Sequence, residues 1–362
     1  MRLTALNPAY NPNFDQHERV VLVEDDVTGL KAIIAVHNST LGPGMGGCRI
    51  YNYKTQEDAI TDVLRLSRGM TYKSALAGLP LGGGKSVIIA DSNAPNKADM
   101  MRAFGDAIEK LSGIYITAED IGSTDEDMIE IARSTSYVCG LPPQDTVLAA
   151  GLGGNPSPLT AYGVFQALRA LTESIKGTTD IKDVHFAVQG LGAVGSALVR
   201  YLRDAGAKLT VTDMVATRME NMPFATASTL DDIYNTDADI FCPCAMGAIL
   251  NTNTIPHLRV KAVGGAANNQ LATKEDDAHL KERGIRYAPD YVVNAGGIIA
   301  VAYEYFVRNN LQVFPYVLNK ESLMAHIEKI RATTAEILAH ATNENLPTGM
   351  VADKMAESIF AK

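Results

Sequence analysis

The stretch that decides the fold is His185-Phe-Ala-Val-Gln189 followed by Gly190-Leu-Gly192-Ala-Val-Gly195. The apolar run to Gln189 predicts a buried strand, and apolar side chains recurring on one face after Gly192 predict a helix. Between a strand and a helix, the first glycine permits a tight turn and the second lets the backbone approach a pyrophosphate. The third permits close helix packing, and the helix N-terminus attracts the phosphate charge. The residues predicted to hold a dinucleotide are Gly190, Leu191, Gly192, Ala193, Val194 and Gly195.

An acidic residue after the next strand indicates which dinucleotide is bound. The predicted strand Lys208-Leu-Thr-Val-Thr212 ends at Asp213. A carboxylate at this position accepts hydrogen bonds from the adenosine ribose hydroxyls and repels a 2′-phosphate. The predicted cofactor is therefore NAD rather than NADP. A glycine turn without a ligand is the alternative interpretation, and the agreement of strand, helix and acid disfavours it.

A second set of polar residues lies in the first half of the chain, in a segment rich in glycine. Met70-Thr-Tyr-Lys73 runs through a flexible segment to Gly82-Gly-Gly-Lys85, and Asp120 follows beyond one strand–helix unit. Two lysines in one glycine-walled pocket repel each other, which would lower the pKa of at least one of them. A carboxylate beside them would complete a proton relay. Solvated surface lysines and a helix-capping aspartate remain open as alternatives on the pattern alone.

Three other kinds of site are disfavoured by residue spacing. A phosphate-binding loop needs a glycine where the chain has Leu79, and a strand before the Gly-Lys pair rather than after it. Cys242-Pro-Cys244 has a single intervening residue and no second Cys or His pair in tandem, which disfavours a zinc site. The histidines show no His-Glu-x-x-His pairing. No metal site is therefore predicted.

Composition and charge limit the class of protein. A chain of 362 residues is too long for one compact core and suits two domains. The formal net charge of −9 argues against nucleic acid or an anionic membrane as a partner. No stretch approaches the roughly 18 apolar residues of a transmembrane helix, and the N-terminus lacks the apolar run of a signal peptide. Four scattered cysteines favour no disulfide framework, so a reducing cytoplasm is the expected compartment.

Strands and helices alternate along both halves of the chain, which predicts an α/β fold. Pro and Gly concentrate from Leu141 to Pro158, so we place the hinge between two domains there. The predicted architecture is an N-terminal α/β substrate-binding and catalytic domain and a Rossmann-type NAD-binding domain, separated by a cleft. The first domain is predicted to comprise residues 1–150 plus 335–362, and the second residues 151–334.

Motifs spread over nearly the whole chain resemble, in order, those of the leucine, phenylalanine and valine dehydrogenases of the glutamate-dehydrogenase-like superfamily. These motifs are Leu-Gly-Pro-Gly-Met-Gly-Gly-Cys-Arg (41–49), Arg-Gly-Met-Thr-Tyr-Lys (68–73), Gly-Gly-Gly-Lys (82–85), Thr-Ala-Glu-Asp-Ile-Gly (117–122), Gly-Asn-Pro-Ser-Pro-Leu-Thr-Ala-Tyr-Gly (154–163), Pro-Cys-Ala-Met-Gly (243–247), Ala-Ala-Asn-Asn-Gln-Leu (266–271) and Pro-Asp-Tyr-Val-Val-Asn-Ala-Gly-Gly (289–297). The resemblance implies NAD-dependent oxidative deamination of an L-amino acid to its 2-oxo acid and ammonium, reversible as reductive amination.

The resemblance also implies roles for individual residues. Lys73 matches the lysine that binds the substrate carboxylate, and Lys85 matches the catalytic lysine that activates water. Asp120 matches the carboxylate that moves protons to and from the amino group. Further matches are Gly46 and Gly47 beside the substrate carboxylate, Asn268 at the junction of substrate and nicotinamide, and Thr160 and Ala245 beside the cofactor.

By the same resemblance, the pocket for the substrate side chain comprises Met45, Ala118, Ile298 and Val301. These apolar residues suit a branched aliphatic substrate better than an acidic one, so leucine is the expected preference. Phenylalanine is the runner-up, because one methylene changes selectivity by only about 1–3 kcal/mol. Two departures from the family pattern bear on specificity, namely Cys48 in place of threonine and Ala300 in place of asparagine. The family implies a homo-oligomer, from dimer to octamer.

The chemistry of amine oxidation agrees with these assignments. Hydride leaves the α-carbon as the amine becomes an iminium, so the ammonium must first lose a proton, which a carboxylate can accept. A lysine can then deprotonate the attacking water. A cleft that closes would exclude bulk water. A non-catalytic NAD-binding regulator is the alternative from another class, and it is disfavoured because a regulator needs no proton relay.

Overall fold

The computed structural model describes residues 1–361, which fall into two compact units. The first unit contains Met1–Gly154, Val301–Lys320 and the chain from Ala356, and the second contains Asn155–Ala300 and Glu321–Met355. Each unit has its own sheet. The predicted two-domain α/β fold is therefore confirmed.

The first unit is built on a mixed sheet of six strands. They are β1 (Arg2–Ala5), β2 (Arg19–Asp25), β3 (Leu30–Asn38), β4 (Gly44–Tyr51), β5 (Gly82–Ile89) and β6 (Tyr115–Glu119). The order is β1-β2-β3-β5-β4-β6, with antiparallel pairing from β1 to β5. β4 is parallel to both of its neighbours, β5 and β6. The carboxyl ends of these three strands therefore lie at one edge of the sheet, where ligands of α/β folds bind.

Helices cover both faces of this sheet. They are α1 (Gln56–Leu76), α2 (Lys97–Glu109), α3 (Asp125–Ala132) and α4 (Asp145–Ala149). α1 begins with a capping box at Thr55, and its Ile60 and Leu64 pack against one face. Phe104 and Ile108 of α2 pack against the opposite face. Burial on both sides explains why β3 is almost continuously apolar.

Two segments of the first unit differ from the prediction. Gly82–Lys85 lies inside β5 rather than before a strand, and the segment after Lys73, predicted to be flexible, begins as the last turn of α1, which ends at Leu76. The physical reason is close packing, because a Cβ at Gly83 would overlap Thr71 of α1. Glycine in a strand interior often marks such a close approach.

The second unit contains a parallel sheet. Its strands are β7 (His185–Gln189), β8 (Lys208–Thr212), β9 (Thr226–Ala227), β10 (Ile240–Pro243), β11 (Ala262–Val263) and β12 (Arg286–Tyr287). The order is β12-β11-β10-β7-β8-β9, and every pair is parallel. The chain runs outward from β7 to β9 and then crosses to β10 on the other side of β7. The carboxyl end of β7 is therefore a topological switch point, where dinucleotides bind.

Eight α-helices follow α4 in the described chain. They are α5 (Ser157–Lys176), α6 (Ala193–Asp204), α7 (Ala216–Glu220), α8 (Glu275–Glu282), α9 (Asp290–Val293), α10 (Gly296–Arg308), α11 (Lys320–Glu344) and α12 (Thr348–Phe360). Short 3-10 helices occupy Asp232–Asn235 and Ile255–His257. α5 ends at Gly177, whose φ of 73° terminates the helix in the left-handed conformation.

The C-terminal chain is divided differently from the predicted bounds of 335–362. Residues 301–320 belong to the first unit, where Arg308 donates a hydrogen bond of 3.1 Å to the carbonyl oxygen of Leu141. In the same unit the backbone N–H of Lys320 donates to the carbonyl oxygen of Ala150 at 2.9 Å.

Residues 321–355 belong to the second unit, where the N–H of Gly349 donates to the Asp277 carboxylate at 2.7 Å. From Ala356 the chain rejoins the first unit, and Glu357 accepts a hydrogen bond of 2.7 Å from Tyr72 of α1. These contacts join residues far apart in sequence, so helical periodicity could not assign the C-terminal helices to a unit.

Residues 1–361 contain neither a membrane-spanning helix nor a cluster of metal-ligating side chains. No helix in this part of the chain is long and apolar enough to cross a bilayer. Within the same residues, no group of three or more His, Cys, Asp or Glu side chains is arranged to hold a metal ion.

Candidate active site

The triple glycine of β5, together with Gly46 and Gly47 of β4, forms the floor of the first-unit site. A Cβ at Gly46 would overlap the carbonyl oxygen of Gly84 on the neighbouring strand. A Cβ at Gly47 would lie 2.7 Å from the Cβ of Asp120. Any side chain at either position would displace a strand or the carboxylate, so both positions require glycine.

A buried tyrosine fixes the backbone of this floor. The hydroxyl of Tyr115 donates to the carbonyl oxygen of Gly46 at 2.8 Å and lies 3.0 Å from the Ser86 hydroxyl. Burial raises the pKa of Tyr115, so the hydroxyl stays protonated and remains a donor. The peptide at Gly46 is thereby held rigidly between β5 and β6.

Lys85, in the middle of β5, and Asp120, directly after β6, form a direct ion pair. The ammonium of Lys85 lies 2.8 Å from Oδ2 of Asp120, and Lys85 is only 6% exposed. Lys85 is placed by β5, and Asp120 directly follows β6. The predicted association of one lysine with this carboxylate is present, and the pair can exchange a proton with a bound substrate or water.

A third charged residue, Arg49, also contacts Asp120. Its Nε lies 3.1 Å from Oδ2 of Asp120, and its Nη1 lies 2.9 Å from Oδ2 of Asp62 on α1. Burial opposes ionisation of Asp120, but Lys85 and then Arg49 outweigh it and lower the pKa of the carboxyl below its usual value. Asp120 is therefore ionised at neutral pH.

The remaining predicted residues of the first unit lie on α1, β4 and β6. Lys73 lies half-buried in the last turn of α1, one turn after Met70, whose Cγ would lie 3.3 Å from a Cβ at Gly46. The strand register aligns Gly47 with Ala118 and places Met45 beside Ile116. Met45 is fully buried, whereas Ala118 is half-buried.

The glycine loop of the second unit has the geometry expected of a dinucleotide site. Gly190 has a φ of 100°, and a Cβ there would lie 2.7 Å from the Cβ of Ala245. A Cβ at Gly195 would overlap the carbonyl oxygen of Gly190. At Gly192, the N-cap of α6, a Cβ would meet no other described atom within 4 Å. The loop is thus closed toward the protein and open at the helix N-terminus, which fits a pyrophosphate.

Asp213, directly after β8, is hydrogen-bonded to this loop. Its Oδ2 accepts a hydrogen bond of 2.6 Å from the N–H of Leu191, and its Oδ1 accepts one of 2.8 Å from the N–H of Val215. Arg218 of α7 lies 3.2 Å from Oδ1. Burial opposes ionisation of Asp213, but the two N–H groups and Arg218 lower the pKa of its carboxyl. An ionised carboxylate next to the glycine loop fits the ribose hydroxyls of a dinucleotide.

Thr160 and Asn268, both in the second unit, are held by different contacts. Thr160 is in the first turn of α5, and a Cβ at Gly297 of α10 would meet its Oγ1 at 2.5 Å. Oδ1 of Asn268 accepts a hydrogen bond of 2.8 Å from Asn294, which is 7% exposed. Asn294 therefore fixes the orientation of the exposed Asn268 amide.

Ile298 and Val301 lie on α10, three residues apart, so they share one side of the helix. Both are half-buried. The division between the two units falls between Ala300 and Val301, within this helix. Their assignment to a substrate pocket stays a prediction.

Four residues of the two sites were not found by reasoning from the sequence. Arg49 contacts both Asp62 and Asp120, Arg218 contacts Asp213, and Asn294 orients Asn268. Arg49 and Asn294 stand inside the motifs quoted above, and this position was the one available signal. Asp62 and Arg218 lie on helix surfaces whose pattern is typical of solvated residues.

Comparisons with known proteins bear on both units. The family described as Glu/Leu/Phe/Val dehydrogenase, dimerisation domain, matches residues 16–137. The family described as Glutamate/Leucine/Phenylalanine/Valine dehydrogenase matches residues 154–217 and 210–358. Together these matches cover most of the chain.

Individual relatives and one solved structure extend this result. Leucine dehydrogenase of Geobacillus stearothermophilus is 46% identical over 96% of this chain and 91% of its own length. Phenylalanine dehydrogenase of Caldalkalibacillus thermarum is 42% identical over 96% and 93%. The crystal structure of L-tryptophan dehydrogenase from Nostoc punctiforme superposes with a TM-score of 0.81 at 38% identity, covering 95% of this chain and 96% of that one.

Proposed function

The chain belongs to the glutamate/leucine/phenylalanine/valine dehydrogenase family, and we propose that it oxidises L-leucine and related branched-chain amino acids with NAD. The products are the 2-oxo acid, ammonium and NADH, and the reaction is reversible. As a member of this family the chain is an amino-acid dehydrogenase. The observation that carries the proposal is the buried ion pair of Lys85 and Asp120 beside Gly46 and Gly47.

Each residue of the first-unit site has a distinct task in this proposal. The ammonium of Lys73 binds the substrate carboxylate beside the rigid backbone of Gly46 and Gly47. Asp120 accepts a proton from the substrate ammonium, which leaves the amine lone pair free to form the iminium. Lys85, which has given up its own proton to solvent beforehand, then removes a proton from the water that attacks the iminium carbon. The amine of the resulting carbinolamine takes back the proton held by Asp120, and the carbinolamine collapses to the 2-oxo acid and ammonium.

NAD, when bound, accepts the hydride from the substrate α-carbon. In this proposal the N–H groups at the start of α6 hold the pyrophosphate, and Asp213 accepts hydrogen bonds from the ribose hydroxyls. Ala245 lies against Gly190, so it borders the loop proposed to hold the cofactor. Thr160 and Asn268 contact the nicotinamide, with Asn294 holding the Asn268 amide in place.

Preference for a branched aliphatic side chain rests on Met45, Ala118, Ile298 and Val301. None of them offers a hydrogen bond or a charge, so an acidic substrate side chain would be desolvated without compensation. Discrimination against phenylalanine is weaker, because it depends on shape alone. The leucine and phenylalanine dehydrogenases among the relatives are of similar identity to this chain.

The proposed compartment and assembly rest on fewer observations. All four cysteines are free, which supports a reducing cytoplasm as the site of action. One of the two matching family descriptions names a dimerisation domain, which supports a homo-oligomer. Light scattering of the purified protein would test the assembly, and a monomeric mass at micromolar concentration would contradict it.

The experiment that tests the function is NADH formation from a panel of L-amino acids. We expect kcat/KM to be highest for leucine, lower for valine and isoleucine, lower again for phenylalanine, and negligible for glutamate. Ammonium and 2-oxo acid should form in equal amounts with NADH. A kcat/KM that is highest for phenylalanine would contradict the proposed preference for aliphatic side chains. A protein that binds NAD but oxidises no amino acid would contradict catalysis and favour the regulator.

A further inference from the structure

Asp120 has two cationic partners, and the proposed chemistry uses only one of them. Lys85 and Arg49 both contact the same oxygen, Oδ2, at 2.8 Å and 3.1 Å. The two cations come from neighbouring strands, β5 and β4. A single lysine would suffice to pair with Asp120, so the guanidinium at this position needs an explanation.

Arg49 is itself held from the opposite side. Its Nη1 lies 2.9 Å from Oδ2 of Asp62, and the hydroxyl of Tyr53 donates to that same oxygen at 2.6 Å. The Arg49 side chain is only 19% exposed, so these contacts hold it within the protein. Tyr53, Asp62, Arg49 and Asp120 therefore form a continuous chain of hydrogen bonds that ends on the proposed proton acceptor.

The two cations differ in one respect that matters for proton transfer. A lysine ammonium can lose a proton, whereas an arginine guanidinium keeps its charge throughout the working pH range. While Lys85 is neutral, its attraction for the Asp120 carboxylate disappears. Burial would then favour the protonated carboxyl, and Asp120 could no longer accept a proton from substrate.

We infer that Arg49 is a positioning residue whose permanent charge keeps Asp120 ionised and fixed in place while Lys85 gives up its proton. Asp62 and Tyr53 serve this role by holding the guanidinium against β4 and α1. The inference rests on the proposed function, because it assumes that Asp120 and Lys85 exchange protons during amino-acid oxidation.

Other charged and titratable groups near Asp120 could also contribute to the pH dependence of the activity. β5 contributes Lys85 and β4 contributes Arg49, with Cys48 next to it. β6 contributes Tyr115. Burial raises the pKa values of Cys48 and Tyr115, so both stay neutral in the working range. Glu119 is the exception, because burial and then Asp125 raise its pKa to about 7.

The experiment compares the pH dependence of kcat/KM in variants made on a Glu119→Gln background, which removes the group that titrates near neutrality. In Arg49→Met, Asp120 loses a constant positive charge, so its carboxyl titrates at higher pH. We expect the acidic limb of the profile to move up by roughly one pH unit or more. Arg49→Lys retains a cation and should keep the limb close to that of the background protein.

A matched control separates charge from disruption of the hydrogen-bond chain. Asp62→Asn breaks the contact that holds Arg49 but leaves its charge, so the acidic limb should not move upward, even if kcat falls. An equal upward shift in Asp62→Asn and Arg49→Met would overturn the inference. So would an unmoved limb in Arg49→Met.

A second readout does not depend on turnover. The Asp120 carboxyl can be followed by carbon-13 NMR in ligand-free protein labelled at aspartate, with Asp120→Asn identifying its signal. The titration midpoint should rise in Arg49→Met, and in Arg49→Gln if the methionine variant does not fold. An unchanged midpoint overturns the inference, whatever the activity. A raised midpoint in a protein that oxidises no amino acid would instead contradict the proposed function.

Discussion

The two glycine-rich segments of the chain perform different physical tasks. In the second unit, Gly190 has a φ of 100° and Gly192 faces open space at the N-cap of α6. In the first unit, Gly82–Gly84 are extended strand residues, and Gly83 is occluded by Thr71. One segment leaves room for a ligand, whereas the other leaves room for a helix. Glycine clusters therefore have to be assigned by the atoms that surround them.

The two units also divide the proposed chemistry. The first unit holds Lys85 and Asp120, the groups proposed to transfer protons, and the second holds the loop proposed to bind the cofactor. Variants in one unit should therefore leave the task of the other intact. The following predictions test that separation.

The largest effect is expected from Lys85→Ala. Loss of a positioned acid–base group should lower kcat by about 10²–10⁴-fold. NAD affinity, measured by fluorescence titration, should stay within about twofold of wild type, because the glycine loop belongs to the other unit. A comparable loss of turnover and NAD affinity would mean that the lysine has a structural role only.

Lowering the pH should destabilise the folded first unit, because His17 becomes protonated. Burial lowers the pKa of this histidine to about 4, from 6.5 in an unfolded chain. Its neutral form is favoured when folded, so the stabilisation is complete above pH 6.5 and lost as pH falls toward 4. The loss amounts to roughly 3 kcal/mol at most.

Denaturant unfolding between pH 7 and pH 4 would measure this effect. His17→Gln should reduce the pH dependence of the free energy of unfolding over that window, although its stability at pH 7 falls because the contacts to Leu64 and Ser67 are lost. An identical pH dependence in wild type and variant would contradict the assignment.

Alanine substitution distinguishes the two glycine segments directly. Gly46→Ala should reduce the free energy of unfolding by about 1–3 kcal/mol, because its Cβ overlaps the backbone of Gly84. Gly192→Ala should stay within about 1 kcal/mol of wild type, since its Cβ meets open space.

The two variants should also lose different functions. Gly192→Ala should weaken NAD binding, because its methyl group fills the space proposed for the pyrophosphate. Gly46→Ala should lower amino-acid turnover and leave NAD binding unchanged. Isothermal titration with NAD measures the first effect. NAD binding as tight as in wild type by Gly192→Ala would show that the loop is not part of the cofactor site.

The smallest effect is expected from Asp213→Ala. Loss of the proposed ribose contacts should raise the KM for NAD about tenfold, or about 1.4 kcal/mol, which is near the lower end of what a hydrogen bond to a charged group contributes. The preference for NAD over NADP should fall as well, because Arg218 would remain without its carboxylate. Unchanged KM values for both cofactors would contradict the ribose assignment.

The second unit was the easier half to predict from sequence. The strand at His185, the glycine loop and the helix from Ala193 follow one another within a few residues, and local periodicity records all three. The first-unit strand beginning at Gly82 was missed in part. Strand propensity counts against glycine, and only the packing of α1 explains its presence there.

Long-range contacts set the limit of prediction for the site. Arg49 and Asp120 are 71 residues apart, and no local pattern indicates that they meet. The same holds for the division of the C-terminal helices, which depends on contacts such as Arg308 with Leu141. The identities of Lys85 and Asp120 came from motif resemblance, and their direct contact came from the structure.

The most direct test of the account is the oxidation of L-leucine with NAD by Asp120→Asn, compared with wild type at pH values on either side of neutrality. Asparagine preserves the size of the side chain but accepts no proton. We predict a fall in kcat of at least about 10²-fold at every pH, with NAD affinity retained. Turnover at the wild-type rate would show that the carboxylate takes no part in proton transfer and would contradict the central claim.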